Sequence, residues 1–153
     1  MANNLFPVGL PITDTQTNET SASRPKFGRS WRFDFDTGDF VSSSTGALEQ
    51  TDGLNAYIEW AKKVLRTPRY RHLIYPRWHG QEYDNLARRD LTPEVVESEV
   101  QRITTETLMV DPRTSSVDGF TFEWRGSDLY FRCNVITALG KEVTLDGAAT
   151  GVK

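Results

Sequence analysis

Val117-Asp118-Gly119-Phe120-Thr121-Phe122-Glu123-Trp124-Arg125-Gly126-Ser127-Asp128-Leu129-Tyr130-Phe131-Arg132-Cys133 is the stretch that decides the fold. With Gly126-Ser127 as a two-residue loop, Arg125 faces Asp128, Trp124 faces Leu129, Phe122 faces Phe131 and Phe120 faces Cys133. On the other side Glu123 meets Tyr130 and Thr121 meets Arg132. One face is then apolar and the other polar, and a one-residue slip would destroy that division. Downstream, Ala138-Leu139-Gly140 reads as a three-residue loop with Gly140 in the left-handed position. Val135 then faces Val143, and Cys133 faces Leu145. Both turns select the same buried face, so a three-stranded antiparallel meander starting at Val117 is expected. Its last strand, Lys141 to Leu145, is short, and nothing after Asp146 is expected to pair with it; the edge is then either open or covered by residues 1–28 or the Trp31 strand.

Upstream of the meander lies the tripeptide Asp111-Pro112-Arg113. Proline fixes its own φ and pushes the preceding residue out of the α region, so a helix must stop at about Val110. That helix starts at Thr92-Pro93, an N-cap type followed by proline at the first helical position. Val96, Val100, Ile103, Thr107 and Val110 give it one apolar face. An earlier helix runs from the cap Thr51-Asp52 to about Arg66, with Leu54, Ile58, Ala61 and Leu65 as a stripe that Tyr57 and Val64 widen. Pro68 ends it. Trp31, Phe33 and Phe35 alternate with charged residues, as on a half-buried strand. Residues 69–80 are too punctuated for a helix, and Gln81 to Arg88 could form a short one. The expected class is α+β: two long helices packed on a small antiparallel sheet that contains the C-terminal meander.

Residues 1–28 read as an extended arm, and residues 29–153 as a single domain. Leu5-Phe6-Pro7-Val8-Gly9-Leu10-Pro11 is apolar and punctuated by proline, while Thr13 to Ser23 is polar and without periodicity. Leu5 and Phe6 either tuck back on the domain or lie in a groove of a neighbouring subunit.

Composition is that of an ordinary soluble chain, 37% hydrophobic and 25% charged with a net charge of −3. Cys133 has no partner cysteine, and no apolar run is long enough to span a bilayer. The first residues lack the pattern of a signal peptide, so synthesis in the cytoplasm is expected. His72 and His79 are the only histidines, and no ligand cluster has zinc-site spacing. No nucleophile elbow or phosphate-cradling glycine loop is present, so neither catalysis nor a cofactor or metal is expected. Glu82 and Asp84 form the one carboxylate pair worth weighing for a glycosidase. The Lys62–Arg77 stretch, basic residues among Tyr70, Tyr75 and Trp78, is the one candidate for nucleic acid. With the chain net acidic, neither nucleic acid nor membrane is expected as a partner.

In landmark order the chain resembles the baseplate wedge or sheath-initiator proteins of contractile phage tails, a lysozyme-like baseplate wedge family. The subgroup of Gram-positive-type myoviruses and defective prophages is the most similar. The matching landmarks are the proline-bearing arm, Trp31 to Gly38, Asp52-Gly53-Leu54, Arg66-Thr67-Pro68-Arg69-Tyr70-Arg71, Ile74-Tyr75, Gly80, Asp111-Pro112-Arg113, Ser116-Val117 and the hairpin. The family carries Glu-Pro-Arg where this chain has Asp111, Pro112 and Arg113, a shorter acid with the same charge. The resemblance implies a virion protein of the inner baseplate, six copies around the tail tube, assembled in the host bacterial cytoplasm. Its partners would be other wedge subunits, the tail sheath protein and the tube. Expected contacts are Asp111, Pro112 and Arg113 on the wedge, Lys141, Val143 and Leu145 at the edge that starts the sheath, and Leu5 and Phe6 on a neighbour, with Arg69 and Arg71 as further partner-binding residues. A lysozyme-like wall-degrading baseplate enzyme is the alternative. The Asp111–Arg113 pair, if exposed, would add little to stability; the alternative is a salt bridge within the domain that staples the helix end.

Overall fold

A computed structural model describes residues 25–152, so the expected contacts of Leu5 and Phe6 in the arm lie outside the described residues. Seven strands and two helices follow in order: β1 (Arg29–Trp31), β2 (Phe33–Asp34), β3 (Asp39–Phe40), β4 (Gln50–Asp52), α1 (Gly53–Arg66), α2 (Pro93–Met109), β5 (Thr114–Arg125), β6 (Asp128–Thr137) and β7 (Glu142–Ala149). The class is α+β, with β5-β6-β7 as an antiparallel meander and two minor pairings, β1 with β4 and β2 with β3.

The meander has the register that the facing pairs require. Arg125 opposes Asp128, Trp124 opposes Leu129, Phe122 opposes Phe131 and Thr121 opposes Arg132. Val135 opposes Val143 and Cys133 opposes Leu145, with Gly140 at φ +71° in the turn. Two expectations need correction. Gly119, at φ +61°, and Phe120 together stand against Cys133, because β5 carries an extra residue between Asp118 and Thr121. A glycine inside a strand permits such a bulge. The outer strands are also longer than expected: β5 begins at Thr114, and β7 continues to Ala149, which pairs with Leu129. Gly147 makes that extension possible, since any Cβ there would strike the Phe131 ring.

Both helices cover the apolar face of this sheet. The core holds Tyr57, Ala61, Val64 and Leu65 from α1, Val96, Val100 and Ile103 from α2, and Leu129, Phe131, Cys133, Val135 and Leu145 from the sheet. On α1 the buried stripe is centred on Tyr57 and Val64, with Leu54 and Ile58 only partly covered. On α2 the face turns through Thr104 and Leu108 and leaves Val110 exposed. Polar atoms in this interior are paired. The Tyr83 hydroxyl meets Thr104 Oγ1 at 2.7 Å, the Tyr57 hydroxyl meets Thr114 Oγ1 at 2.8 Å, and Trp124 Nε1 donates to Glu97 of α2 at 2.8 Å.

The aromatic stretch from Trp31 to Phe35 is not one continuous half-buried strand. β1 and β2 are separate short pieces, and Trp31 and Phe40 stay substantially exposed. Their alternation serves a surface cleft and not the main core. Between α1 and α2 only a 3-10 turn, Tyr83–Asn85, occupies the place of the expected short helix. Phe27, assigned by sequence to the arm, is buried edge-to-face against Tyr57 at 5.9 Å.

Candidate functional site

The outer edge of β7 is free: among the described residues no strand pairs with it. Val143 and Leu145 point their side chains into the core, and Lys141 is exposed beside the turn. Thr137 donates its N–H to the Lys141 carbonyl at 2.9 Å, which sets the alternation of the ladder. Lys141, Val143 and Leu145 therefore turn their main-chain groups toward β6. Glu142, Thr144, Asp146 and Ala148 present theirs to the outside, a distinction that side-chain patterning alone did not supply. A polar cleft of about 470 Å³ opens beside Thr144 and Asp146, with Arg32 and Asp34 on its far wall.

At the joint, Asp111 and Arg113 face inward. Arg113 donates through Nε and Nη2 to the two Asp111 carboxylate oxygens at 2.9 and 2.7 Å, and its backbone N–H reaches Asp111 Oδ1 at 2.9 Å. The remaining nitrogen donates to the Phe27 carbonyl at 3.1 Å. Above the guanidinium lie the rings of Trp60 and Tyr57, 5.2 and 5.3 Å away. The side chains are only 15% and 13% exposed. Of the two readings of this pair, an exposed docking pair and a salt bridge within the domain, the structure has the second. Aspartate is short enough to bond the backbone two residues on, and the fork of arginine ties the helix end to the segment entering β1.

Arg69 is also engaged within the chain, donating to the Gly80 carbonyl at 3.0 Å and to Glu82 at 2.8 Å. Arg71 lies 3.9 Å from Asp84, both of them solvated. Glu82 and Asp84 accordingly meet different arginines and do not converge on a cleft. In the basic aromatic stretch, Lys63 sits over Tyr75 at 5.2 Å and Arg66 donates to the Phe35 carbonyl at 2.8 Å. Much of that positive charge is spent on internal contacts.

The segment between Arg69 and His79 is irregular, as its punctuation requires, but it carries a feature missed from the sequence. Leu73 is fully exposed and Ile74 is 86% exposed, side by side at its tip. The base is firm: Gln81 N–H donates to the Thr67 carbonyl at 2.9 Å, Arg69 N–H to the Gln81 carbonyl at 2.7 Å, and Tyr75 stacks on His79 at 4.3 Å. Two aliphatic side chains are thus held out together on a braced loop. The only sequence sign was an apolar pair with no periodicity around it.

Among the described residues no group of His, Cys, Asp and Glu is placed to hold a metal ion. Cys133 lies in the core, where burial pushes its thiol up to about 12. Among curated proteins none matches the chain. A family model described as the contractile injection system sheath initiator matches residues 29–140, from β1 to the turn before β7. With nearly three quarters of its length under that match, the chain belongs to the contractile injection system sheath initiator family.

Proposed function

We propose that this structural component of a contractile injection system docks on the baseplate around the tube and starts the sheath by accepting a strand along β7. The supporting observation is the free β7 edge with a cleft beside it. Four outward-facing residues, Glu142, Thr144, Asp146 and Ala148, offer N–H and C=O groups to an incoming strand. Main-chain pairing gives affinity with little demand on the partner's sequence, as suits the first ring of a repeating polymer. An open edge is otherwise an aggregation liability, and the exposed charges of Glu142 and Asp146 temper it. Lys141, Val143 and Leu145 hold this edge in place through β6 and the core.

Docking on the baseplate falls to the Leu73–Ile74 knob with Arg71 beside it. Arg69 and the Asp111-Pro112-Arg113 corner keep the loop and helix end in position. Six copies, in a phage tail or a related particle, follow from the family resemblance.

Thr144→Pro tests the edge. The proline removes an N–H that points away from β6, so the meander is retained. Expected is a folded protein that enters baseplates but fails to start sheath. Normal sheath on such baseplates would overturn the strand-addition role.

A further inference from the structure

On the side of α1 away from the meander lies an aromatic pocket of about 490 Å³, walled by Trp31, Phe33, Phe40 and Trp60. It is apolar, yet two buried polar atoms on its lining, Glu59 Oε2 and His79 Nε2, have no hydrogen-bond partner among the described residues. His79 is 92% buried, being 8% exposed. Orphaned buried polar atoms are costly, so their retention calls for an occupant that brings hydrogen-bonding groups into an aromatic slot.

The chain itself carries a segment of that chemistry. Leu5-Phe6-Pro7-Val8-Gly9-Leu10-Pro11 is apolar, and its two prolines favour an extended polyproline-like backbone. Such a backbone makes no internal hydrogen bonds and leaves its N–H groups free, and aromatic-lined grooves are the usual receptors for it. Residues 12–24 tether the segment to Pro25, and thirteen residues reach about 40 Å when extended. The pocket begins at Ser30, five residues beyond Pro25. A domain of this size has a radius of gyration of about 14 Å, so the tether spans the distance with slack. Linkage also holds the segment at an effective concentration in the millimolar range, well above that of a second copy in dilute solution.

We propose that residues 5–11 of the same chain occupy this pocket, with Phe6 or Leu10 against Trp31 and Trp60, main-chain N–H groups on the Glu59 carboxylate and a main-chain N–H or carbonyl on His79. The N-terminal segment is then an intramolecular ligand, independent of the strand-addition reading.

The test uses the full chain with Asn4→Cys carrying a nitroxide; Cys133, buried with a raised pKa, is left unlabelled. In the nitrogen-15 spectrum, signals of Trp31, Phe40 and His79 are expected to lose most of their intensity, while Arg125 and Tyr130 on the far sheet face keep theirs. Phe6→Ser with Leu10→Ser, or Phe40→Ser at the exposed rim, restores the pocket signals. A sample mixing labelled nitrogen-14 chain with unlabelled nitrogen-15 chain should show no loss. Loss in the mixture would place the segment on a second copy and overturn the proposal, as would weak, unlocalised loss throughout.

Discussion

Arg113 shows how one residue's environment changes its meaning. As sequence it is a permanent charge after a proline; in the fold it satisfies Asp111, the Phe27 carbonyl and a bed of aromatic rings at once. Arg113→Ala leaves Asp111 and Phe27 with unmet groups, and a loss of about 2 kcal/mol in urea unfolding is expected, the scale of charged hydrogen bonds. A loss below about 0.5 kcal/mol would mean that the corner behaves as an exposed pair. The salt bridge to Asp111 was one of the two readings open in the local sequence; the ties to Phe27, Tyr57 and Trp60 were not legible there, because those residues are remote in the chain. His79 gives a second expectation. Burial lowers its imidazole below the ordinary value, and Lys63 adds to the shift. The unfolded chain then binds the proton more readily than the folded one, so stability is full above about 6.5 and declines as pH falls below it. His79→Gln should flatten that decline below about pH 6.5, read as urea midpoints across a pH series. An unchanged slope would show that other groups carry it.

At the scale of elements, the meander was legible because three independent requirements agreed: a two-residue turn, a glycine turn and one apolar face shared by Trp124, Leu129, Phe131 and Cys133. The bulge at Gly119 escaped because alternation on either side of it looks unbroken. The Trp31–Phe35 alternation misled for a related reason: a cleft wall and a core face have the same period of two. Helix α2 begins at Pro93 as its sequence requires, yet the Thr92 side chain makes no capping hydrogen bond. Thr92→Ala should therefore change stability by less than about 0.5 kcal/mol, where an engaged cap would give about 1. Gly80 is different. It sits at φ +100°, and a Cβ would press on the Thr67 carbonyl and the Arg69 backbone. Gly80→Ala should destabilise by about 1–3 kcal/mol and loosen the loop that carries Leu73 and Ile74, seen as faster amide exchange from Arg69 to Gln81.

For the whole molecule, the helices and core hold one face of the sheet, and among the described residues the outer edge of β7 has no strand paired with it. Family membership was legible in the order of landmarks, since the match covers residues 29–140. Which atoms of the edge are available was not, because side-chain pattern says where Val143 and Leu145 point but not which way a main-chain group turns. Leu73→Ser with Ile74→Ser should leave the fold intact, as both side chains are solvated, and should lower incorporation into baseplates; full incorporation would remove the knob from the docking surface. The most direct measurement is amide hydrogen exchange at β7 in the isolated chain and in the assembled particle. Glu142, Thr144, Asp146 and Ala148 are expected to exchange fast when isolated and to become protected on assembly, while Val143 and Leu145 are protected in both. Fast exchange of those four amides in the intact particle would contradict strand addition at this edge.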